Sequence, residues 1–130
     1  DMACYLAGLL FDDVPAADLE RVVRDAYDFP IELHQIAENY STLELFHGPT
    51  YAFKDFGARF MGRMVGLLNN GGPLTILTAT SGDTGSAVAH GFYDVEGVRV
   101  VILYPEGKVS PLQEAQMTTL GKNIYPLRQG

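Results

Sequence analysis

The sequence predicts an α/β fold, three-layered, with a parallel sheet built from βα units. Three observations carry this. Apolar, often β-branched runs recur at residues 74–78, 98–103 and 123–127. Helix-like stretches separate them, and strand–helix alternation implies a parallel sheet with right-handed crossovers. Glycine is abundant, at 14 in 130 residues, and gathers at the turns that short βα units need.

Taken in order, residues 2–11 are apolar and read as a helix or the end of one. Opening at Asp1 and not at methionine, the chain reads as an interior piece of a longer one. Pro15 opens a second helix, with Leu19, Val22, Val23, Ala26 and Tyr27 as its apolar stripe and Glu20 and Arg24 paired on the outer side. Pro30 ends it. Residues 31–40 fit neither period. Leu43-Glu44-Leu45-Phe46 reads as a short strand. Phe53, Phe56, Phe60, Met64, Leu67 and Leu68 then fall at helical spacing, so a helix starts near Lys54 and runs to Leu68. Asn69-Asn70-Gly71-Gly72-Pro73 stops it, because Asn and Gly accept the left-handed conformation and Pro cannot continue a helix.

The strand at 74–78 leads into Ser81-Gly82-Asp83-Thr84-Gly85 and a helix from about Thr84 to Tyr93. Small side chains at Gly85, Ser86, Ala87 and Ala89 let that helix lie close to a sheet. Gly97 turns the chain into 98–103, nearly continuous in apolar residues apart from Arg99, as suits a buried parallel strand. Ser110-Pro111-Leu112-Gln113 is a capping box with proline at the first helical position. That helix ends near Gly121, and Asn123 begins the last strand. Residues 1–42 thus form a helical lead-in, and 43–130 an α/β segment.

Bulk properties narrow the function classes. Acidic residues outnumber Lys plus Arg by 16 to 9, a formal charge of -7, which argues against a nucleic-acid backbone partner. No apolar run is long enough for a membrane span, and no signal segment opens the chain. Cys4 is the single cysteine, so an internal disulfide is excluded and a reducing, cytoplasmic setting fits. No His/Cys/Asp group has metal-ligand spacing, and no Ser/His/Asp signature for acyl transfer is present.

Two stretches can carry chemistry. The first is Leu45-Phe46-His47-Gly48-Pro49-Thr50-Tyr51-Ala52-Phe53-Lys54-Asp55-Phe56-Gly57. Lys54 lies in the first turn of a helix beside aromatic surface. The positive helix end and lost water disfavour its ammonium form, so it can serve as an amine nucleophile towards a carbonyl. Alternatively its stem covers the aromatics while its head reaches water. The second is Ser81–Gly85, between a strand end and a helix start, where open α/β sheets bind ligands. There the N–H groups of Gly82, Asp83, Thr84 and Gly85, with the hydroxyls of Ser81 and Thr84, can meet an anion; alternatively the glycines only permit a tight turn. It is not a nucleotide P-loop, because no lysine follows the second glycine. His47 can touch a ligand or be satisfied at its turn, and His90 reads as structural. Asp55 reads as a helix cap. Arg59 and Arg63 read as a solvated face or a phosphate contact, and Lys108 as a phosphate recruiter.

Leu43 to Thr50, then Ala52-Phe53-Lys54-Asp55-Phe56-Gly57, closely resembles the cofactor-lysine motif of the threonine synthase family, bacterial long form. Thr78-Ala79-Thr80-Ser81-Gly82-Asp83-Thr84-Gly85 resembles its substrate loop, and Val101-Ile102-Leu103-Tyr104-Pro105, Gly107-Lys108 and Ser110 to Gln113 also match. The resemblance implies a partial fold type II pyridoxal-phosphate enzyme, tryptophan synthase β-like. It implies conversion of O-phospho-L-homoserine and water to L-threonine and phosphate, with Lys54 carrying pyridoxal 5'-phosphate. Ser81, Gly82, Asp83, Thr84 and Gly85 would hold the substrate carboxylate, with Asp83 also near the cofactor's 3-oxygen, where the wider fold often has asparagine. In the resembling proteins the cofactor's phosphate cup and the partner of its ring nitrogen lie beyond the position of Gly130, so this segment alone is expected to bind cofactor poorly and turn over negligibly. No metal site is expected from the residue spacing, and no obligate partner is inferred. Alternatives are another lyase of this fold, such as a serine/threonine dehydratase or cysteine synthase, or a non-catalytic metabolite-binding member.

Overall fold

The computed structural model describes residues 2–130. In chain order its elements are α1 (Met2–Leu10), α2 (Ala16–Ala26), β1 (Glu32–Ala37), β2 (Tyr40–Glu44), α3 (Lys54–Leu68), β3 (Leu74–Ala79), α4 (Asp83–Gly91), β4 (Val98–Pro105), α5 (Pro111–Thr118) and β5 (Ile124–Gln129). The helices and the strands of the α/β segment fall where periodicity and caps put them. The box at α5 forms in full: Ser110 accepts from Gln113 N–H while the Gln113 side chain accepts from Ser110 N–H.

Strands β3, β4 and β5 make a parallel sheet in that order, with β4 in the centre. Val98, Val100, Ile102 and Tyr104 alternate inward along β4 and are all buried. Pro126, which cannot donate to a ladder, lies in the edge strand β5. Phe92, just after α4, and Met117 of α5, both fully buried, close the core over this face. A second cluster joins Ala7, Leu19, Val22 and Val23 to Met64 of α3. Next to it, Val65 packs against the first cluster, so α3 belongs to both cores. The layering is therefore one-sided: sheet, then α4 with α5, then α3 with α1 and α2. The other sheet face presents Leu77, Tyr125 and Leu127 to solvent.

One expected strand lies elsewhere. Residues 43–46 were expected to precede the parallel sheet as part of the α/β alternation, but Leu43 and Glu44 belong to β2, which pairs antiparallel with β1 in a separate hairpin. Both strands are almost wholly exposed, so no buried face imposes a period on residues 31–40. The two-residue connection Glu38-Asn39 closes the hairpin between Ala37 and Tyr40.

Helices α3 and α4 meet backbone to backbone. A Cβ on Gly62 would overlap the carbonyl oxygen of Gly91, and one on Gly91 would lie 2.5 Å from the carbonyl oxygen of Ala58. The first obstacle is main chain, which cannot swing aside. Gly62→Ala is therefore expected to lower stability by about 1–3 kcal/mol, although alanine gains about 1 kcal/mol of helix propensity. Urea unfolding checks this, and an unchanged or raised midpoint contradicts it.

Candidate active site

The loop into Lys54 is tied down from inside. Asp55, with no exposed surface, accepts from the Thr50 N–H at 2.9 Å and from the Thr50 hydroxyl at 2.7 Å. Gly48 passes so close that a Cβ there would lie 2.5 Å from an Asp55 carboxylate oxygen. The expected cap is thus a clasp: Asp55 binds the loop five residues back, and α3 starts with no side-chain cap. Between clasp and helix, Tyr51 holds φ 59°, a left-handed geometry costly for a residue with a Cβ. Gln116 of α5 adds a 3.4 Å contact to the Thr50 carbonyl.

With its neighbour Asp55 buried, Lys54 is half-buried at the start of α3. Its Nζ stands 5.0 Å from the centre of the Phe53 ring. It has no hydrogen-bond or ion-pair partner among the described residues. Lys54 lines a cleft with Phe53, Phe56, Gly57, Ala58 and Met61 on one side and Thr84, Ala87 and Val88 of α4 on the other. The lysine and the start of the loop helix thus share one mostly apolar space.

Thr80 organises that loop, and sequence reasoning missed it. Its hydroxyl oxygen accepts from the N–H groups of Gly82, at 3.0 Å, and Gly85, at 2.9 Å. Two of the four donors expected to meet an anion are therefore already used. The N–H groups of Asp83 and Thr84, in the first turn of α4, have no partner among the described residues. A threonine at a strand end before Ser-Gly is a side-chain turn signal that could have revealed this. Gly82 has φ 148° and faces the Gln113 side chain, while a Cβ on Gly85 would overlap Thr80. This turn is thus built on both glycines. Ser81, Asp83 and Thr84 are exposed, and the Asp83 carboxylate accepts from Gln113 Nε2 at 2.5 Å. Of the expected loop residues, Thr84 reaches the lysine cleft, whereas Ser81, Gly82, Asp83 and Gly85 do not line it.

The arginines are committed elsewhere. Arg59 is buried; it donates to the carbonyls of Ala26 and Asp25, both at 2.8 Å, and to the Asp28 carboxylate. Arg63 donates to the Gly91 carbonyl at 2.9 Å. Each meets the carbonyl end of a helix, α2 or α4, where cations are favoured. Neither is a solvated face or a free phosphate contact. Burial pushes the His90 imidazole below its ordinary value, against a smaller opposing pull from the Asp55 carboxylate, which suits the structural role expected of it. Lys108 is exposed in the turn before α5. His47 bonds Glu44 at 2.7 Å, and one atom each of Glu32, Glu44 and His47 lie within 4.8 Å of one another. Spacing alone hid that group because the hairpin register brings Glu32 opposite Glu44. His34, bonded to Glu32 at 2.9 Å, joins the same surface network.

The clasp yields a sharp expectation. Asp55→Ala leaves the buried Thr50 donors unpaired and is expected to cost about 1–3 kcal/mol. Asp55→Asn, which keeps one acceptor, should cost less. Chemical denaturation of both variants checks this; equal stability of the two contradicts it.

Comparison with known proteins agrees with this architecture. Residues 31–130 match the family model described as pyridoxal-phosphate dependent enzyme. The chain is 56% identical over 119 residues to threonine synthase of Haemophilus influenzae, an alignment covering 92% of this chain and 28% of that protein. The crystal structure of threonine synthase from Escherichia coli matches with a TM-score of 0.85 at 51% identity, over 98% of this chain and 31% of that one. A crystal structure of pyridoxal-phosphate-bound threonine synthase from Brucella melitensis matches with a TM-score of 0.82 at 44% identity, over 89% of this chain and 27% of that one. The chain thus spans under a third of the length of these relatives, and within that span its parallel sheet and βα units are those of fold type II. On the match over residues 31–130, the chain belongs to the pyridoxal-phosphate dependent enzyme family.

Proposed function

We propose that this chain is the lysine- and substrate-loop-bearing part of a threonine synthase, converting O-phospho-L-homoserine and water to L-threonine and phosphate. The observation that carries the proposal is the half-buried Lys54 amine, without a polar partner, in one cleft with Thr84 of the α4 first turn. The threonine synthases it resembles support the substrate. In this reading residues 1–42 are a packing lead-in and 43–130 carry the chemistry, in a cytoplasmic protein acting on a small molecule. Among the described residues no helix is long and apolar enough to cross a membrane.

The cleft suits pyridoxal phosphate. Its walls are largely apolar, as a planar ring requires, and its one amine can bond a carbonyl carbon. When bound, the cofactor supplies an aldehyde and an electron sink. Lys54 would hold it through its amine, and that amine, when free, would take and return protons at the substrate carbons. The N–H groups of Asp83 and Thr84 receive the substrate carboxylate at the positive end of α4. Ser81 and Thr84 add hydroxyls, while Gly82 and Gly85 permit the turn.

Borohydride reduction of the full-length protein with pyridoxal phosphate, followed by peptide mapping, tests this. The label is expected on Lys54 and absent in Lys54→Ala. A label at another lysine, or none, overturns the proposal. With O-phospho-L-homoserine the products should be threonine and phosphate; ammonia and a keto acid would mean a dehydratase instead.

A further inference from the structure

The capping box of α5 has a second, longer-range task. Gln113 Oε1 accepts from the Ser110 hydroxyl at 2.8 Å and from the Ser110 N–H at 3.2 Å. Those two donors settle which way the amide points. Its Nε2 must then face away from Ser110, and there it donates to Asp83 Oδ1 at 2.5 Å, across a gap of 30 residues in sequence. Gly82 is close enough that a Cβ would lie 2.6 Å from the same nitrogen, so the amide is hemmed in from the loop side. Three residues on, Gln116 reaches the Thr50 carbonyl in the lysine loop. One face of α5 therefore touches both halves of the site.

We propose that Gln113 is a positioning residue: its amide, oriented by Ser110, holds the Asp83 carboxylate at the head of α4 and so fixes the first turn whose Asp83 and Thr84 N–H groups receive the substrate carboxylate. This rests on the function proposed above. A capping residue alone needs only its oxygen, and glutamate serves a capping box as well as glutamine does. The donor nitrogen is the part that capping leaves unexplained.

Gln113→Glu separates the two roles. It keeps the cap but removes the donor and sets a second carboxylate against Asp83. The test is a double-mutant cycle with Asp83→Asn in the full-length protein, read by pyridoxal phosphate affinity and by kcat and KM. With Asp83 intact, Gln113→Glu should raise KM for O-phospho-L-homoserine about tenfold, as loss of one charge-assisted hydrogen bond does. In the Asp83→Asn background it should cost less than about twofold, because the introduced asparagine amide can donate to the new carboxylate and restore the bond with roles exchanged. The deficit beside Asp83 should also shrink as pH falls, since two carboxylates at this distance come to share a proton that remakes the bond. Equal cost in both backgrounds, or a deficit independent of pH, overturns the assignment of Gln113. Failure of the wild type to take label at Lys54 overturns the functional proposal, and this inference with it.

Discussion

A single buried carboxylate sets the geometry of the lysine loop. Asp55 has no contact with solvent, so its charge must be met from within, and Thr50 meets it with both N–H and hydroxyl. That pair closes the five-residue turn before α3 and holds Tyr51 in a left-handed conformation that only an over-determined loop sustains. Lys54 is the neighbour of Asp55, so its backbone is placed by the same clasp. Its side chain is left with an aromatic face and, among the described residues, no polar partner. The orientation of one amine thus depends on a hydrogen-bond pair made by the residue next to it.

Helix α4 transmits that placement. It lies between the sheet and α3, with Ser86, Ala87 and Ala89 buried, and Gly91 lets α3 approach to backbone contact. The first turn of α4 carries the Ser81–Gly85 loop and the first turn of α3 carries the lysine, so the separation of the two helices is also the width of the cleft. Arg59 and Arg63 reinforce the arrangement by meeting the carbonyl ends of α2 and α4. Cations that a sequence suggests for a ligand are spent here on holding helices together.

How much of this was legible depends on how local each cause is. The three sheet strands and five helices follow period, caps and turn residues, all readable within a few positions. The hairpin at 32–44 was not, since both its faces meet solvent and nothing enforces alternation. Lys54 and the Ser81–Gly85 loop stand out in the sequence at helix and strand ends; of that loop, Thr84 shares the lysine's cleft and the other four do not line it. Asp55 looked like a cap because acids favour helix starts; its true partner is in the preceding loop. Arg59 looked solvated because its acceptors are more than thirty residues earlier. Thr80 was passed over for the more conspicuous Ser81 and Thr84. Gln113 was read for its local cap, and its distant bond to Asp83 could come only from the fold.

The account stands on the Lys54 amine facing the first turn of α4 across an apolar cleft. A crystal structure of the full-length protein grown with pyridoxal phosphate tests this most directly. The account predicts unbroken density from Lys54 Nζ into the ring, with the ring in the α3–α4 cleft beside Thr84. A Lys54 side chain turned to bulk solvent, with the ring bound elsewhere, would contradict it.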